Sequence, residues 1–160
     1  MDINSIKSIF ESFDIAAFLP ELDSFLGWVE LVLRLAVMAA PLLLLGFGLL
    51  YLLAPPKEAN YSLGYRFWWS MASLDAWQFT HRLVGRIWSF LGLGLTVIMA
   101  LICNAFRWMA PMTMMWTAFG CLIFELVLVA ASCIFVNVKV MKIFDKDGFR
   151  RSDYDEEEEE

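Results

Sequence analysis

A single histidine, three cysteines, one carboxylate inside an apolar run and one arginine among aromatic rings are the residues of this 160-residue chain that invite chemistry. His81 could relay a proton or hold a metal. A metal site needs several ligands, however, and the chain has no second histidine and no thiol at useful spacing. Hydrogen bonding to a loop backbone group is therefore the favoured role of His81, with pH sensing behind it. Cys103, Cys121 and Cys133 lie in apolar stretches without C-x-x-C spacing and read as small buried hydrophobes. The chain has no glycine-rich phosphate loop, no nucleophile-and-base spacing and no paired carboxylates at helical separation. Gly46-x-Gly48 reads as a helix-packing signal. No catalytic, cofactor or metal site is expected, and the chain is not expected to be an enzyme.

Arg66, flanked by Tyr65 and Phe67-Trp68-Trp69, could act in three ways. It could stack on Trp68 or Trp69, make a two-pronged contact with a carboxylate such as Asp75 or with a lipid phosphate, or anchor the loop at a membrane surface. Glu125 interrupts an otherwise uncharged run. Both residues gain meaning from the elements that carry them.

The chain is 60% hydrophobic and 19% charged, with a mean hydropathy of +0.63. A soluble chain this short could not hide so much apolar surface from water. Its net charge of -6 is concentrated in Asp153, Asp155 and Glu156 to Glu160, so no basic face for nucleic acid is expected. Three stretches, about 35–56, 87–106 and 112–138, are long and apolar enough to cross a bilayer as helices. The expected fold is an all-α integral membrane protein with three transmembrane helices, an N-terminal amphipathic helix and an interfacial loop and helix before the second span.

Residues 1–30 do not read as a signal peptide, because Asp2, Glu11 and Asp14 interrupt the apolar positions. Ile3, Ile6, Phe10, Phe13 and Ala17 instead recur at helical spacing, as in a helix lying on a membrane, with Leu19-Pro20 predicted to break it. A membrane domain over 31–138 follows, with loop 57–86 between its first two spans. Lys139 to Lys146 reads as a basic juxtamembrane helix, and the remaining residues to 160 as an acidic disordered tail. Asp145-Lys-Asp-Gly148 lacks the order of a calcium loop. Loop 57–86 and the tail together carry nine Lys and Arg, against three on the other side. The N-terminus is accordingly expected outside and the C-terminus in the cytoplasm.

Loop 57–86 is dense in Trp and Tyr, which favour the membrane–water boundary. Ser73 reads as the N-cap of a helix with Asp75 in its first turn, running through Trp77, His81 and Trp88 into the second span. The ordered set Asn60-x-x-x-Gly64-Tyr65-Arg66, Ser70, then Trp77-x-x-Thr80-His81-Arg82-x-x-Gly85 resembles the signature of the SdpI family of bacterial membrane proteins. Tyr61 stands where that family has proline, and Phe67-Trp68 where it has Thr-Pro. The resemblance implies a multi-pass inner-membrane protein of a family named for immunity to secreted killing peptides. Protection against such a peptide, or related envelope signalling, is the expected function. A small transporter or channel-like subunit, or an accessory subunit of a membrane complex, is the alternative. Expected partners are the lipid bilayer, a peptide toxin or another membrane protein, and further copies of the chain.

Gly85, Ser89, Gly92, Thr96, Ala100 and Cys103 form one stripe of small or polar residues on the second span. Thr117, Cys121, Glu125 and Ser132 form another on the third. The two stripes are predicted to face each other, since small residues let membrane helices approach closely. A mid-membrane charge is costly, so Glu125 is expected to face the bundle interior and keep its proton, hydrogen-bonded to Thr96 or Ser132.

Overall fold

The computed structural model describes residues 15–57 and 64–151, with the backbone alone for 15–22. Three long helices account for most of it: α1 (Ile15–Leu53), α2 (Leu74–Ala105) and α3 (Pro111–Ile143). Each contains a segment long and apolar enough to cross a membrane: Asp23–Leu53, Leu74–Trp108 and Pro111–Ile143. No strand occurs among the described residues, apart from an isolated bridge between Phe144 and Arg150.

The N-terminal amphipathic helix falls mostly on residues 1–14, outside the described residues. The predicted break at Leu19-Pro20 is not present, because α1 runs unbroken from Ile15 through Pro20 and Pro41. A helical proline forfeits one backbone bond and bends the helix. Good helix formers flank both prolines, Ala16, Ala17, Leu19, Glu21 and Leu22 around Pro20 and Met38, Ala39, Ala40 and Leu42 around Pro41, and outweigh that loss. Pro55-Pro56 lies just beyond the end of α1, and Pro111 begins α3, where a missing N–H costs little.

The N-terminus of α2 is capped as expected. Ser73 is extended, its hydroxyl accepts the Ala76 N–H at 3.1 Å, and Asp75 lies in the first turn. A short 3-10 turn, Phe106–Trp108, links α2 to α3. Beyond Ile143 the chain turns back, so Lys146 lies in a turn and not on the basic helix predicted for Lys139 to Lys146. The Asp145 carboxylate fixes this turn by accepting the N–H groups of Asp147 (3.0 Å) and Phe149 (2.8 Å).

The closest helix pair is α1 with α2. They run antiparallel, with Leu52 against Gly85, Gly48 against Ser89 and Leu45 against Gly92. A Cβ on Gly92 would lie 2.4 Å from the Leu45 nitrogen, and one on Gly48 2.4 Å from the Ser89 nitrogen. This corrects the predicted pairing of stripes: the glycines of the second span meet the first span, not the third. Gly48 supplies the matching hollow on α1, whereas a Cβ on Gly46 would meet nothing within 4 Å.

Helix α3 docks on the pair through Met114, Ala118, Cys121, Glu125, Ser132, Val136 and Val140, all buried. Thr117 and Thr96 are half-buried, and Ala100 is exposed. Two apolar clusters fill the bundle. One joins Val37, Leu44, Leu95, Met99 and Phe106 to the start of α3. The other joins Tyr51, Val84, Val136, Val140 and Phe144 at the end where α1 stops and α2 starts. Large side chains such as Phe90, Leu101, Trp116 and Leu126 point outward, at 64% exposure or more. An apolar outer surface of this extent suits hydrocarbon as the surrounding solvent.

Candidate functional site

At the end of the bundle where α1 stops, α2 starts and α3 ends, residues 64–85 form a hydrogen-bonded platform. His81 is its hub and is fully buried. Its Nε2 accepts the backbone N–H of Tyr65 at 2.9 Å, and its Nδ1 lies 2.8 Å from the Trp77 carbonyl. An amide N–H can only donate and a carbonyl only accept, so the ring is neutral with its hydrogen on Nδ1. Both nitrogens are thereby occupied. Among the described residues no group of three His, Cys, Asp or Glu could hold a metal.

Tyr51, Trp77 and Gly64 pack around that ring. The Tyr51 ring meets it edge-on at 5.0 Å, and the Trp77 ring lies 4.2 Å away. Gly64 packs over it with φ at 139°, in the region that glycine alone adopts freely. A Cβ there would also come within 2.6 Å of the Trp77 ring and 2.8 Å of His81 Nε2. Trp77 is buried and its indole N–H donates to the Pro56 carbonyl at 2.9 Å, tying the end of α1 to α2. Ser70, also buried, accepts the Phe67 N–H and donates to the Phe67 carbonyl, closing the 3-10 turn Trp69–Met71.

Tyr65 ties the platform to α3: its hydroxyl lies 2.8 Å from Asn137 Oδ1 and 3.2 Å from the Cys133 carbonyl. Burial pushes the Tyr65 phenol above its ordinary range, and nearby Cys133 adds to the effect. The turn after α3 returns to the same end. Ser73 Oγ donates to the Gly148 carbonyl at 2.7 Å, and Arg150 Nε lies 2.8 Å from Asp75 Oδ2. The carboxylate offered to Arg66 is therefore held by Arg150, and Arg66 is exposed at the rim. Arg82 is also exposed, with a 3.3 Å contact to Gln78.

The platform thus gathers Gly64, Ser70, Trp77, His81 and Gly85 in its interior, with Arg66 and Arg82 outside. Asn60 lies outside the described residues. Nothing in the sequence marks Tyr65, Asn137 or Arg150 as structural ties. The only signal for Asn137 was a lone amide in an apolar run.

The intramembrane polar residues are arranged differently from expectation. Glu125 is 1% exposed, yet neither carboxyl oxygen has a hydrogen-bond partner among the described residues. The predicted bond to Thr96 or Ser132 is absent: the α2 stripe that carries Thr96 turns toward α1, and Ser132 lies two turns farther along α3, engaged by α2 through Trp88. Thr96 donates to the Gly92 carbonyl at 2.7 Å, and Ser132 to the Val129 carbonyl at 2.7 Å. Ser132 also accepts the Trp88 indole N–H at 3.2 Å, the polar link between α2 and α3.

The family model for the SdpI/YfhL protein family matches residues 57–137, from the loop after α1 to the asparagine that holds Tyr65. The chain belongs to the SdpI/YfhL protein family. No curated protein and no solved structure matches it. With three helices able to span a membrane, it is an SdpI-type membrane protein. The SdpI/YfhL match covers the platform, α2 and most of α3, and leaves out α1 and the closing turn.

Proposed function

We propose that this SdpI/YfhL protein is a multi-pass protein of a bacterial inner membrane that protects the membrane against a secreted antimicrobial peptide. The N-terminus faces outside and the platform and C-terminus face the cytoplasm. The observation that carries this reading is the division of labour within the family signature. Its inward members hold the platform together, and its two arginines, Arg66 and Arg82, are exposed at the rim. Such an arrangement suits a binding or shielding protein better than an enzyme, because buried groups committed to one another are not available to a substrate. The partners are the bilayer and a membrane-active peptide, met at the rim or along the apolar outer face.

Expression in a peptide-sensitive strain tests the proposal. Survival should rise with the intact chain and fall with Arg66→Ala at unchanged membrane abundance. Unchanged sensitivity to every co-encoded peptide would remove the support for immunity. A second reading, a transporter or channel-like subunit, draws on the unpartnered carboxyl of Glu125 between the helices. Three spans enclose no pore without further copies, so ion flux in liposomes together with oligomeric state separates the two readings.

A further inference from the structure

A cleft of about 580 Å³ opens beside the platform, between the 3-10 turn and the turn after α3, lined by Trp68, Met71, Ala72, Lys146 and Asp147. It carries one cation and one anion on adjacent residues, Lys146 and Asp147. Neither side chain forms an ion pair among the described residues. Trp68 presents its ring there at 77% exposure. Both walls are braced. Ser70 closes the 3-10 turn, the Asp145 carboxylate closes the other, and the Ser73–Gly148 bond and the Arg150–Asp75 pair join the two. The two charges thus stand on a braced turn, with no ion pair between them.

The cleft lies at the end of the bundle where α1 stops, α2 starts and α3 ends, so in a bilayer it meets lipid headgroups. We propose that it is a binding site for a phosphoethanolamine lipid headgroup. Lys146 takes the phosphate. Asp147 accepts N–H bonds from the primary ammonium, whose charge also lies against the Trp68 ring. Met71 and Ala72 cover the adjoining glycerol and chain carbons. A purely anionic headgroup would satisfy Lys146 and be repelled by Asp147. A choline headgroup would satisfy the ring but has no N–H for the carboxylate.

The test is lipid retention by the full-length protein, measured by native mass spectrometry. Phosphatidylethanolamine, phosphatidylglycerol and phosphatidylcholine of matched chains are offered in equal amounts. Phosphatidylethanolamine should be retained over both others by a factor of about two to five, the worth of an exposed charge pair. Asp147→Asn should abolish the preference over phosphatidylcholine, and Lys146→Gln should weaken retention of all three lipids. Both side chains are exposed and unbonded, so neither variant should shift thermal unfolding. Soluble phosphoethanolamine at equal concentration should displace none of the lipid. Equal retention of the three lipids, preference for phosphatidylglycerol, or unaltered selectivity in Asp147→Asn would each overturn the proposal. Displacement by the soluble headgroup would overturn its lipid source.

Discussion

His81 spends both ring nitrogens on the chain's own backbone, which makes it a structural joint between the loop and α2. Removing it leaves the Tyr65 N–H without its acceptor, and a buried polar group stripped of its partner costs about 1–3 kcal/mol. His81→Ala should therefore lower thermal stability in detergent by that order. His81→Gln, whose amide oxygen can reach toward Tyr65, should lose clearly less, and equal losses would contradict the assigned role of Nε2. Glu125→Gln should fold and insert normally, since it keeps shape and removes only the capacity for charge. Glu125→Arg should fail to accumulate, because a permanent charge in mid-bilayer costs about 3 kcal/mol or more. Membrane abundance of the two variants is the readout. Tyr65 sets a pH dependence: the folded state favours its neutral phenol, so stability should hold below the ordinary tyrosine range of about 10 and decline as pH rises past it. An ultraviolet titration should show late-ionising tyrosine absorbance that falls by one residue's worth in Tyr65→Phe. At this scale the sequence allowed His81 to be read as a hydrogen-bonded loop residue. It did not reveal Tyr65 as its partner, since a backbone N–H sixteen residues away has no side-chain signature.

The helices were legible from hydropathy, and Ser73 as an N-cap from its type and the acidic residue two positions on. What periodicity could not decide was which helix each stripe would meet. A stripe of small residues identifies a face, and the neighbour depends on where a complementary hollow lies. Gly48 provides that hollow on α1, and the pair closes until backbone meets backbone. Gly92→Ala places a methyl group against main-chain atoms that cannot rotate away, a loss of about 1–3 kcal/mol from overpacking. This outweighs the gain of up to about 1 kcal/mol in helix propensity. Gly94→Ala and Gly46→Ala, with nothing within 4 Å, receive the propensity gain alone and should be neutral or stabilising. Thermal unfolding of the three variants measures the contrast, and equal behaviour would mean the α1–α2 crossing is looser than described. The same logic explains Glu125, whose inward position follows from the cost of charge in lipid while its lack of a bonded partner follows from the α2 stripe turning toward α1.

For the molecule as a whole, the proposed orientation places loop 57–86 and the C-terminal residues on the cytoplasmic face. Single cysteines introduced at Lys57 and at Arg151, in a background without Cys103, Cys121 and Cys133, should resist an impermeant thiol reagent in intact cells. Both should react once the membrane is opened, and labelling of either in intact cells would reverse the topology. The turn that follows α3 has a consequence for how such a protein is made. Gly148 and Arg150 fasten onto Ser73 and Asp75, a separation of 75 residues in each case. Insertion proceeds from the first helix onward, so the cap of the second helix, closed locally by Ser73, gains these further ties only once residues 148–150 have left the ribosome. The fastening therefore forms only after α3 has been made in full. A chain cut short within α3 would leave the start of α2 without either tie.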